Sequence, residues 1–146
     1  MKDFTRTLQD YCNANDISYH YGSRADLNLM FSDAVVGQVY LFQEIFTRDP
    51  TTNSTKTNYV NENFNGRMSI VVKSNLDQHY FNEKGTDETT SKFTLNIEPL
   101  KLVAETLGKS LMCSGLDFDF TWIDISNFLD VNYDGILITY KGTTYV

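Results

Sequence analysis

Asp130-Val131-Asn132-Tyr133-Asp134-Gly135 is the stretch whose residue types and spacing come nearest to a chemical site. It matches the opening D-x-[DN]-x-[DN]-G of a calcium loop, where alternate oxygens converge on the ion and the glycine allows a sharp bend. The twelfth position, which should supply a bidentate glutamate, is Lys141, and the flanks read as strand or loop where the motif needs two helices. A plain turn accounts for the same letters, because Asp, Asn and Gly tolerate tight and left-handed backbone. The turn is the expectation and calcium the alternative.

The other reactive side chains form no such pattern. His20 and His79 are the only histidines, and neither has a His, Cys or carboxylate at a metal-ligand spacing. Cys12 and Cys113 lie far apart without a nucleophile signature, so both read as small apolar residues of a reducing compartment. Asp117, Asp119 and Asp124 are the best carboxylates for acid-base work, yet the first two fall on the polar parity of a strand, where a solvated face is the default. The eight glycines are scattered singly and leave no phosphate cradle. Tyr19, Tyr21, Tyr40 and Tyr59 offer faces on which bases can stack, but the basic residues that accompany such a platform are dispersed. Asn53-Ser54-Thr55 is a glycosylation acceptor only in a secreted chain, and the opening MKDFTRTLQD lacks the apolar stretch of a signal peptide. No catalytic, cofactor-binding or metal-ligating residue is assigned, and a non-enzyme is expected.

The elements that must position these groups come from 146 residues, 41% of them hydrophobic and 14% aromatic. A chain of this length buries roughly two-thirds of its unfolded surface, so residues 1–146 are expected to form a single domain with a real core. Nineteen acidic against twelve basic side chains give a net charge of -7, which opposes a basic nucleic-acid groove. No apolar run approaches the roughly 20 residues of a membrane-spanning helix, so a soluble cytoplasmic protein is expected.

Phe4, Leu8, Tyr11 and Cys12 mark one face of a short N-terminal helix behind an Asp3 cap. Ile17, Tyr19 and Tyr21 alternate as a strand, and Leu27, Leu29 and Phe31 continue that two-residue period. Val35 to Phe46 is apolar at both parities, which predicts a central strand covered on both faces. Two polar excursions follow: residues 47–58, a loop or long hairpin tip, and residues 75–92, a solvated stretch anchored by Tyr80 and Phe81. Between them Arg67 to Lys73 reads as a strand antiparallel to its predecessor. Ile97, Leu100, Ala104, Leu107 and Leu111 predict the principal helix over about 98 to 112, with Pro99 in its first turn and Gly115 past its end. Leu116, Phe118, Phe120 and Trp122 alternate with Asp117 and Asp119 in a strand with an acidic outer face, and Gly135 to Tyr140 supplies the closing strand. The expected fold is α+β: an antiparallel or mixed β-sheet with a short N-terminal helix and one principal helix packed on one face.

In layout the chain resembles the small head-to-tail joining proteins of tailed bacteriophages, the tail-terminator, tail-completion or neck-ring type, including those of crAss-like phages. The resemblance runs through the first helix, Tyr19-His20-Tyr21-Gly22 with Asp26-Leu27-Asn28, Val39-Tyr40-Leu41 and the long polar excursion, then Met68 to Lys73. It continues in the helix at Leu100 to Met112, the strand Phe118 to Ile125 and Asp134-Gly135 before the last strand. It implies a non-enzymatic virion protein, assembled in the host cytoplasm, that forms a ring of its own copies between neighbouring connector or tail proteins. DNA would pass through the ring without specific binding. From Gly115 onward Asp117, Asp119, Asp124, Asp130 and Asp134 face only Lys141, so this half of the sheet is expected either to line such a channel or simply to keep the surface soluble. The two polar excursions are the expected contacts between copies. An acidic inhibitor or immunity-type protein that binds a basic partner fits the same charge and size.

Overall fold

A computed structural model describes residues 3–30, 35–74, 79–82, 88–128 and 132–145. Helix α1 (Phe4–Ala14) starts where the Asp3 side chain accepts hydrogen bonds from the amides of Thr5 and Arg6, and it buries Phe4, Leu8 and Cys12. Strand β1 (Ser18–Gly22) follows. The next segment is the first departure from expectation, because Arg24–Met30 is a helix, α2, and not a continued strand. Its start is a reciprocal cap. The Ser23 hydroxyl accepts from the Asp26 amide, and the Asp26 carboxylate accepts from the Ser23 amide. Strand β2 (Tyr40–Glu44) then pairs parallel to β1, and a parallel pair needs the crossover that α2 supplies.

Strand β4 (Tyr59–Lys73) is the long middle of the sheet. One of its edges pairs antiparallel with β6 (Tyr133–Tyr145) from Asn61 to Lys73. The other edge is shared. Strand β2 pairs with its second half, and β3 (Thr47–Thr52) with its first. The interruption at Ile45 and Phe46 leaves Ile45 exposed and sends the Phe46 ring against Phe4, Phe64 and Tyr140. Strand β5 (Asp117–Phe128) closes the order β1-β2-β4-β6-β5, so β2 is interior yet not central, and β6 lies inside the sheet instead of closing it. The expected loop at 47–58 is half strand. Only Asn53–Asn58 form the tip, where Asn53 Oδ1 accepts from the amides of Thr57 and Asn58.

The principal helix, α3 (Glu98–Cys113), enters through a wide turn at Phe93–Ile97 and ends before Gly115, whose φ of 86° only glycine takes without strain. With α1 it covers one face of the sheet, burying Leu100, Ala104, Leu107 and Leu111 against Met68, Ile70, Phe118, Ile136, Ile138 and Tyr140. Side chains of opposite parity make a second, smaller core in which Leu27 of α2 meets Tyr40, Phe42, Val71 and Tyr133. Toward the hairpin end the same face presents exposed Asn63, Asn65, Arg67, Thr139 and Lys141. No helix among the described residues is long and apolar enough to cross a membrane.

Gly135 serves close approach. A Cβ there would stand 2.0 Å from Ile70 O and 2.8 Å from Val71 Cα, both backbone atoms of β4. Gly135→Ala is predicted to cost about 1–3 kcal/mol of stability, the scale of overpacking. Urea titration checks this: the midpoint falls while the slope with denaturant holds.

Candidate functional site

The calcium-like stretch divides on folding. Asp130 and Val131 lie outside the described residues, so the junction itself is left undescribed. Asn132, with φ 59°, adopts the left-handed backbone expected of a turn, but Tyr133 and Asp134 are corrected from turn to strand, since β6 begins two residues before the expected Gly135. Lys141, at the twelfth position, lies on the exposed parity of the same strand.

Asp134 is fully buried and answered from three directions. Asn96 Nδ2 donates to its Oδ2 at 3.0 Å, Ser126 Oγ donates to its Oδ1 at 2.9 Å, and Lys92 Nζ stands 3.8 Å from the same Oδ1. Lys92 also donates to Ser74 Oγ at 2.8 Å. The cluster therefore ties the chain just past β4, the approach to α3, β5 and β6 to one point. Lys92 was expected at the end of a solvated stretch; it is buried, as is Ser91, and this corrects the polar reading of 75–92 at its C-terminal end. Residues 75–78 and 83–87 of that stretch lie outside the described residues. Tyr80 anchors its middle, packed against Phe93 and donating to Asp124 Oδ2 at 3.0 Å, while Phe81 is exposed. Burial, followed by the Asp124 carboxylate it bonds, pushes the Tyr80 hydroxyl up to about 12.

A carboxylate whose oxygens are engaged by a lysine, an amide and a hydroxyl is built to hold segments together. Removing one partner of a buried ion pair leaves the other charge uncompensated. Asp134→Ala is predicted to destabilise the fold by about 3–5 kcal/mol, and Lys92→Met combined with Asp134→Leu to recover most of that loss. Chemical denaturation of the three proteins measures both.

The remaining sequence candidates stay apart from this cluster. His20 is half-buried on β1 with Nε2 2.8 Å from Ser18 Oγ, and burial lowers its pKa. His79 is exposed, and its backbone carbonyl accepts from the Lys92 amide. Cys12 lies in the core, where burial pushes the thiol up to about 12. Cys113, the last residue of α3, is exposed. The four tyrosines make no platform: Tyr40 is buried, Tyr59 is exposed at the hairpin, and Tyr19 donates to the buried Gln43, which in turn donates to the Tyr140 hydroxyl at 3.1 Å.

The expected acidic face also contracts. Asp117 and Asp119 stand exposed on the open parity of β5, and Lys141 approaches Asp119 at 3.8 Å. Asp124 points to the helix side, 3.2 Å from Lys101 of α3, and Asp134 is internal. With Asn63, Asn65 and Thr143 the two exposed aspartates and Lys141 line a shallow depression of about 490 Å³ across β4, β6 and β5.

The hairpin has an anchor that sequence reasoning missed. Arg48 of β3 donates to Asp3 Oδ2 at 2.6 Å and to Glu62 Oε1 at 2.9 Å, with its guanidinium 4.7 Å from the Phe46 ring centre. The Arg48 hydrogen bond holds the Asp3 carboxyl below its ordinary 3.8. A depressed carboxylate contributes stability above the unfolded-state pKa and loses it as pH falls through the folded-state value. Asn replaces Asp as a helix cap but not as an ion-pair partner. The melting temperature of Asp3→Asn is therefore predicted to lie slightly below the parent's near neutrality, with the gap closing as pH drops below 3.8. Parallel thermal melts across acid pH check the closure.

Compared with models of known protein families and with curated proteins, the sequence matches none.

Proposed function

We propose that this chain is a non-enzymatic structural component of a phage virion, a head-to-tail joining protein that forms a ring of its own copies in the neck or tail. In this reading its other partners are the adjoining connector or tail proteins, and DNA passes through the ring without specific binding. The observation that carries the reading is the β3–β4 hairpin. All six residues of β3 are exposed, so the strand exists through pairing with β4 and through Arg48, not through burial. Its tip is nonetheless ordered, closed by Asn53 and by hydroxyl contacts among Thr55 and Thr57. A polar surface element that is pre-organised without core contacts suits a contact between copies, since little ordering entropy is left to lose on association.

The acidic surface lends less support than the sequence suggested. The open face carries Glu44, Asp49, Asp117 and Asp119 against Arg67 and Lys141; Glu44 pairs with Arg67 at 3.1 Å and Lys141 approaches Asp119 at 3.8 Å. The acidic surplus is small and spread over β2, β3 and β5, which weakens an acidic channel lining and the inhibitor reading alike, because each needs a concentrated acidic patch.

Deleting Thr51–Thr57 tests the reading. Asn58 to Asn61 remain to close the hairpin between the paired residues Pro50 and Glu62, a length that short hairpin loops accept. The deletion variant is expected to melt cooperatively near the parent temperature and to scatter light as no more than two copies. Assembly equal to the parent's would overturn the hairpin's role.

A further inference from the structure

The sheet has three strands with an unpaired outer edge among the described residues, and they are not alike. Strand β1 has five residues, and β3 has six with Pro50 among them, so one is short and the other lacks a backbone donor. Strand β5 has twelve, DFDFTWIDISNF, and among the described residues pairs only with β6. It contains no Pro, Lys or Arg, and what blunts it is three aspartates and the irregularity after Ile125, which leave Asp117 to Ile125 regularly paired. Ile123 on its open parity is 58% exposed. An edge of this length presents a ladder of unpaired backbone donors and acceptors to another strand.

We propose that two copies of this chain pair edge to edge through β5, antiparallel about a twofold axis at Thr121. The register points to that centre. Pairing of β5 with β6 is regular from Asp117 to Ile125 and breaks between Ile125 and Phe128, and Thr121 is the middle residue of the regular stretch. A twofold there sets Asp117 opposite Ile125, Asp119 opposite Ile123 and Thr121 opposite its twin on the open face. On the helix side it sets Phe118 opposite Asp124 and Phe120 opposite Trp122. No carboxylate directly faces another, and the aromatic pairs are of the kind that stabilise antiparallel neighbours. Self-complementarity is what a twofold contact requires. The pair does not rest on the ring reading, because it needs only two copies.

The test uses cysteines on the full-length chain with Cys113→Ser, Cys12 being buried. Directly opposed residues of an antiparallel pair come close enough for a disulfide, while residues at the ends of the paired stretch do not. Under mild oxidation Thr121→Cys is expected to cross-link into a covalent dimer several-fold more than Asp117→Cys. Adding Ile123→Lys to Thr121→Cys is expected to abolish that cross-link, with unchanged circular dichroism. A monomeric parent, or equal cross-linking at positions 121 and 117, would overturn the proposal. Rings without selective cross-linking at 121 would overturn it while leaving the proposed function standing.

Discussion

Strand β4 sets the constraint on which the rest of the structure depends. It is 15 residues long, and a strand inside a sheet must satisfy backbone donors and acceptors on both edges over its whole length. Strand β6, at 13 residues, covers one edge almost completely. The other edge is divided between β2, which is buried on both faces, and β3, which is exposed throughout. The break between them is where Phe46 turns inward onto Phe4, Phe64 and Tyr140. The core half of the molecule and its polar half are therefore built on the same strand, and the position of the hairpin follows from backbone pairing.

Two polar clusters fasten the remaining segments to this frame. Arg48 joins β3 to the cap of α1 through Asp3, and Lys92 with Asp134 joins the approach to α3 to the start of β6. They differ in kind. The Arg48 pairs are partly solvent-exposed and of modest worth, whereas the Lys92–Asp134 pair lies in the interior, where loss of either member is costly. The residues that first suggested an ion site thus contribute one of the molecule's internal fastenings.

Helices α1 and α3 and strand β5 were legible in the sequence because each samples one buried face at its own period, as Phe4-Leu8-Cys12, Leu100-Ala104-Leu107-Leu111 and Phe118-Phe120 show. Helix α2 was not, since Leu27, Leu29 and Phe31 imitate strand alternation; its legible sign was the capping pattern Ser23 to Asp26. Strand β3 left no apolar pattern because pairing and Arg48, not burial, maintain it. Lys92 and Asp134 read as solvated for a related reason: composition along the chain carries no record of a charge partner brought in from another element. The reading of function rested on the layout of elements, and layout specifies no reactive group.

Assembly of copies into a closed ring is the proposed role of this fold. Negative-stain imaging of the purified full-length protein tests it most directly, with native mass measurement on the same sample. Closed rings of uniform diameter and a single copy number are the expected result. Particles no larger than a pair of copies, at every concentration imaged, would contradict it.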